Sequence, residues 1–197
     1  MRAIAFLAVL TTAAAPAAAD SFVELAGGLS IPIADDDWTD VAESSPKIAL
    51  RLGAFPQNLG AFLQADWTPV NTDATGGQFP GGNADISAHR WRMLVGGLFR
   101  HSISNVLTFQ GRAGIGADIH YLNVAVEFLG NRAEESETDV GLGLEFGAGL
   151  WFRSGNLEIG GEIALPIGIH DDDNQNYDFV YTTYDIDFML GVRFLSN

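Results

Sequence analysis

The most regular pattern in the chain runs over 183–194. There Tyr184, Ile186, Phe188, Leu190, Val192 and Phe194 alternate with Asp185, Asp187, Met189, Gly191 and Arg193. Successive side chains of an extended strand point to opposite faces, so this segment has one apolar face and one largely polar face. Seven earlier segments repeat the pattern, over roughly 21–33, 47–55, 60–68, 88–100, 105–121, 139–153 and 156–168. In the fifth, Leu107, Phe109, Ala113, Ile115, Ala117, Ile119 and Tyr121 oppose Thr108, Gln110, Arg112, Gly114, Gly116, Asp118 and His120. Pro166 interrupts the seventh. It removes a ladder donor, so a bulge or the end of regular pairing is expected there.

The connections alternate in length. Those over 34–46, 69–87, 122–138 and 169–182 are long, whereas Pro56–Leu59, His101–Ser104 and Ser154–Gly155 are short. Long external loops and short periplasmic turns are the pattern of a transmembrane barrel, with both termini at the short-turn end. No Asp, Glu, Lys or Arg falls on the apolar face of any segment. A lipid-facing Arg or Lys near the bilayer midplane would cost ~2–4 kcal/mol, which makes that exclusion meaningful. Lys47, Arg51, Arg90, Arg92, Arg100, Arg112, Arg153 and Arg193 all take polar-face positions, as do Glu24, Asp66, Asp118, Asp139, Glu145, Glu158, Glu162, Asp185 and Asp187.

A water-soluble barrel of lipocalin type would share the alternation but turn its apolar face inward. Three features favour the membrane version, the first being that the segments reach the roughly 9–11 residues a tilted spanning strand needs, except the second and third, which are a little short. Glycines crowd the polar faces, and apolar-face aromatics cluster by depth. Trp67, Trp91, Tyr121 and Tyr184 fall near the loop end, and Phe99, Phe109, Phe152 and Phe194 near the turn end. Such girdles mark the two lipid–water boundaries. The expected fold is therefore all-β: an eight-stranded antiparallel up-and-down transmembrane β-barrel in which the last strand pairs with the first.

The N-terminus adds a destination. Arg2, the apolar run Ala3–Leu10 and the small residues Ala17–Ala19 read as a secretory signal peptide over 1–19, which leaves 20–197 as the barrel. With 25 Asp and Glu against 10 Lys and Arg, the net charge is −15. That balance excludes nucleic acid, whose phosphates need clustered cations. There is no cysteine, hence no disulfide.

With these features the mature chain resembles the small eight-stranded outer-membrane proteins of the OmpA/OmpX type. The ending Gly191-Val192-Arg193-Phe194 looks like their C-terminal assembly signal, although Leu195-Ser196-Asn197 follow it here. The resemblance implies an outer-membrane location in a Gram-negative bacterium. It also implies contact with lipopolysaccharide and the barrel-assembly machinery, a monomeric state, and a structural or adhesive role.

Little in the sequence suggests chemistry. An eight-stranded barrel is only wide enough for its side chains to fill, so the lumen charges read as a plug of ion pairs, with a narrow ion path as the alternative. Asp35, Asp36 and Asp37, and Asp171, Asp172 and Asp173, fall in long loops at the same end. They are candidate ligands for a hard divalent cation such as calcium, without EF-hand spacing. No cofactor is expected. Asp85, Ser87 and His89 share one face and supply the ingredients of an acyl-transfer triad. The set is similar to that of lipid A deacylases of the PagL type, but the His-x-Ser order is reversed and the following Asn is missing. No catalytic residue is therefore assigned. His120 and His170 have no evident partners in the sequence.

Overall fold

In the computed structural model, residues 20–34, 44–70, 78–79, 82–128, 131–172 and 179–196 are described. They form β1 (Asp20–Ala34), β2 (Ser45–Phe55), β3 (Leu59–Val70), β4 (Gln78–Phe79), β5 (Gly82–Ser102), β6 (Leu107–Phe128), β7 (Asn131–Ser154), β8 (Leu157–Asp172) and β9 (Phe179–Ser196). Eight of these close an antiparallel ring. β3 pairs with β5 across the small β4, and β9 returns to β1. The closing seam sets Val23 against Phe194, Glu24 against Arg193 and Leu25 against Val192. Among the described residues closure gives each of the eight ring strands a neighbour on both sides, the condition for crossing hydrocarbon with strands. Among the described residues no helix is long and apolar enough to cross a membrane.

The faces are as the alternation predicts. Val23, Leu25, Leu50, Met93, Ile115, Phe146, Ile163, Phe188 and Leu190 are exposed on the outside, while Glu24, Lys47, Arg51, Asp66, Arg92, Asp118, Glu145 and Arg193 are buried within. A soluble barrel would show the reverse. Both girdles are present. Trp67 pairs with Trp91, their rings 6.2 Å apart, near the outer end. At the turn end Leu107 pairs with Phe152 and Leu157 with Phe194.

Several expectations about the strands and their connections need correction. First, the long connection at 122–138 is not a loop. β6 and β7 continue as a ladder from Tyr121 opposite Thr138 to Phe128 opposite Asn131. Part of 69–87 is ladder as well, with Gln78 against Asn83 and Phe79 against Gly82. Second, Pro166 neither shifts the register nor ends the strand. It sits opposite Glu145 on β7. Towards β9 the pairing passes from Ala164–Asp187 to Ile167–Tyr184, skipping two residues in unchanged register. The register shift falls instead in β1, between Pro32 and Ala34. Third, the tight turn is Gly155–Asn156, one residue later than the spacing suggests, and Gly155 adopts φ 62°. That left-handed conformation favours glycine.

Candidate functional site

Among the described residues, side chains turned to the lumen are buried from the turn end to the outer mouth. At the turn end Phe22, Phe55, Phe62, Leu98 and Leu195 form an apolar cluster, with Phe22 stacked on Phe55 at 5.5 Å. The Arg193 guanidinium covers both Trp151, at 4.0 Å, and Phe22, at 4.6 Å. Trp151 is a lumen residue that charge patterning alone passes over, and it is only 1% exposed. A Cβ on Gly160 or Gly191 would meet its ring within 2.9 Å, so those glycines make its space.

Above this cluster the charges interlock across the barrel. Arg193 donates to Glu24 and, at 3.1 Å, to Glu158, which also accepts from Arg100 at 2.5 Å. Arg51 bridges Glu24 and Glu162, and Arg112 bridges Glu162 and Glu145. Gln64 stitches these pairs together, accepting from Arg51 at 2.6 Å and donating to Glu145 at 3.0 Å. Lys47 and Arg92 share Asp66, Glu145 and Asp187. Each carboxylate in this middle stretch faces at least one cation, and most face two. Planar guanidinium forks suit that sharing, because each carries five donors in fixed geometry. Arg153, placed in the lumen by its alternation, lies at the rim instead and donates to the Gly155 carbonyl at 3.1 Å.

The outer mouth is built differently. Arg90 holds Asp118 through both oxygens, with Nε to Oδ1 at 2.8 Å, and also pairs with Asp185. Thr183 accepts from Arg90 at 3.1 Å. Next to this pair stand His120 and His170, their ring centroids 4.2 Å apart. His170 is fully buried and stacks on Tyr181 at 4.9 Å, and Tyr181 donates its hydroxyl hydrogen to Asp139. Asp139 Oδ2 is 2.8 Å from His170 Nδ1. The expectation that these histidines lack partners is therefore wrong: four strands bring Asp118 and His120, Asp139, His170 and Tyr181 together. The signal that could have found them is parity, which puts both histidines on the lumen face. Pair counting from the Gly155–Asn156 turn also sets Leu142 opposite Ile169, one step from His170.

The other candidates lie elsewhere. Ser87 is exposed and pairs with Asn123, and His89 pairs with Pro69 and Tyr121. The His89 ring sits between Trp67, at 5.9 Å, and Tyr121, at 6.5 Å, which places it in the outer aromatic belt. Asp85 pairs with Ala125 in the backbone ladder, but its side chain lies outside the described residues. Asp35, Asp36, Asp37 and Asp173 lie outside them too, as does the expected signal peptide at 1–19. Asp171 and Asp172 extend β8, pairing with Val180 and Phe179. Asp171 is exposed, and the Asp172 side chain is not among those described.

A closed ring with an apolar exterior, two aromatic girdles and a charged interior defines a transmembrane β-barrel. The family comparison agrees: the profile of the outer membrane protein β-barrel domain matches residues 4–194, and the chain belongs to that family. Its place is accordingly the outer membrane of a Gram-negative bacterium. Among solved structures it is similar to Ail, the attachment invasion locus protein of Yersinia pestis. The identity is 16% and the TM-score 0.51, over 90% of this chain and 99% of that one. A major outer membrane protein of Thermus thermophilus is similar at 11% identity and a TM-score of 0.55, over 91% and 100% of the two chains. Ail has also been solved with the heparin analogue sucrose octasulfate, a structure similar at 16% identity and a TM-score of 0.50, over 90% and 99%. At these identities the likeness concerns the fold. No curated protein matches the sequence significantly.

Proposed function

We propose that the protein is exported with removal of residues 1–19 and acts as a monomeric barrel closed to solute, engaging partners through its acidic external segments. The observation that carries this reading is the filled lumen: Trp151 and the ion pairs around Arg112 and Arg92 leave carboxylates and cations engaged with each other rather than lining a path. An eight-stranded barrel has no width to spare beyond its own side chains. Activity then belongs to the outside. The β6–β7 hairpin presents exposed Glu127, Glu134, Glu135 and Glu137 with Arg132 as its cation. A polyanion like the one bound to Ail would be repelled here, so the favoured partner is basic, or is an anionic surface bridged by divalent cations, such as lipopolysaccharide. Asp35–Asp37 and Asp171–Asp173 would add to the same field.

The test is attachment of expressing cells to host-cell or matrix surfaces. The wild type is compared with a chain carrying Glu127→Gln, Glu134→Gln, Glu135→Gln and Glu137→Gln. Lost attachment with an unchanged heat-dependent gel shift supports the reading; unchanged attachment refutes it. One observation favours a second reading, a lipid A hydrolase: Ser87 and His89 are successive same-face positions at the outer boundary. Strand rise separates them by roughly 7 Å, so a hydrolase would need substrate or loop residues between them. Mass spectrometry of lipid A from cells expressing wild type or Ser87→Ala decides it, and identical lipid A ends the hydrolase reading.

A further inference from the structure

We propose that Asp118, His120 and His170 form a binding site for a divalent transition metal of the zinc class at the outer mouth of the lumen. One ligand atom from each lies within 4.8 Å of the others. His120 Nε2 is 3.7 Å from Asp118 Oδ1, and His170 Nε2 is 3.6 Å from Asp118 Oδ2. Zinc bonds to nitrogen and oxygen of roughly 2.0–2.2 Å place tetrahedral ligands about 3.4 Å apart, close to both histidine–Asp118 distances, so side-chain rotation is what closing on an ion requires.

The second observation is His170 itself. Its side chain is fully buried, with Asp139 Oδ2 2.8 Å from Nδ1 and Asp118 Oδ2 3.6 Å from Nε2, too long for a firm hydrogen bond at Nε2. A buried imidazole is costly unless both nitrogens are engaged, and an ion at Nε2 would engage the second. Asp139 at 2.8 Å is positioned to accept a hydrogen bond from Nδ1–H on a small ring rotation, which leaves the Nε2 lone pair for the proposed ion. Metal-bound histidines are commonly oriented by such a carboxylate. Tyr181 fixes that carboxylate through its hydroxyl and fixes the ring by stacking on it. A Cβ on Gly141 would lie 2.6 Å from His170 Nδ1, so the strand opposite is cleared for the ring.

Charge agrees with the geometry. Around the site Asp118, Asp139 and Asp185 stand beside the Arg90 guanidinium, with Arg92 deeper in the lumen, so carboxylates outnumber cations at the mouth itself. Asp118 can keep Arg90 and still offer lone pairs, since an ionised carboxylate has about four acceptor sites. Two imidazoles with one carboxylate suit zinc and its neighbours rather than calcium, which takes oxygen ligands. The His120 and Asp139 side chains are 17% and 28% exposed, so the mouth gives access.

The experiment uses untagged full-length mature barrel, refolded in detergent and freed of metal, titrated calorimetrically with zinc chloride and separately with calcium chloride. One zinc per chain is expected, undisturbed by millimolar calcium. His120→Gln and His170→Gln should each abolish it, and Asp139→Asn, a positioning change, should weaken it ~10–100-fold. Heat-dependent gel mobility establishes that each variant is folded. For any variant that is not, the wild type alone decides. On zinc addition its imidazole NMR signals should shift for two of the four histidines, leaving those of His89 and His101 in place. No zinc uptake by the wild type, uptake unchanged in both histidine variants, or zinc displaced by calcium would each overturn the proposal.

Discussion

One strand, β6, crosses two media and changes its polarity between them. Below Tyr121 it turns Arg112, Asp118 and His120 to the lumen and Ala113, Ile115 and Ile119 to the outside. Above Tyr121 the parity is exchanged: Leu122, Val124 and Val126 continue the lumen side, and Asn123, Ala125 and Glu127 the outer side. Backbone geometry and pairing with β7 run on without interruption. What changes is the solvent. Hydrocarbon outside the membrane portion demands apolar side chains there, and the charges go inward. Water outside the projecting portion removes that demand, so polar groups occur on both faces, with Glu137 and Glu135 of β7 opposite Leu122 and Val124. Alternation therefore reports which solvent a face meets, and its inversion marks the boundary.

Substitutions at different depths probe this contrast. The largest effect is expected inside the membrane portion at Arg112, which spans Glu145 and Glu162. Arg112→Ala leaves two buried carboxylates short of a cation and should cost ~3–5 kcal/mol in urea unfolding of the barrel in lipid. Next is a matched pair on the outer parity of β6. Ile115→Arg meets hydrocarbon and should cost ~2–4 kcal/mol, whereas Ala125→Arg meets water and should stay within ~0.5 kcal/mol. Equal costs at the two positions would refute the inversion. Among the lumen substitutions the smaller loss is expected at Gly168, where an added Cβ would lie 2.5 Å from Thr183 Oγ1 and press on Asp118. Gly168→Ala should cost ~1–3 kcal/mol as overpacking of the outer-mouth ion pair.

Inversion also explains how much of the molecule is legible in its sequence. Within the membrane the eight segments, their faces and the closure of β9 on β1 follow from alternation, because lipid allows no exceptions on the outer face. The projecting hairpin escapes that reading because Tyr121 and Leu122 are consecutive apolar residues, and a fixed parity ends there. Lumen charge balance is visible as composition, but the sharing of Glu145 among Lys47, Arg92 and Arg112 depends on strand stagger around the ring, which no single strand encodes. The histidine cluster is hidden for the same reason, since its members come from four strands. Asp85, Ser87 and His89 stand out through adjacency in sequence, and along a strand adjacency is spacing rather than contact.

The proposed closure to solute depends above all on the buried lumen side chains. Single-channel recording of the purified wild-type barrel in a planar bilayer tests it directly. Insertion confirmed by protease protection, with no discrete conductance steps at any holding voltage, is the predicted result. Stable ohmic steps from the wild type would show an open path through the ion pairs and contradict it.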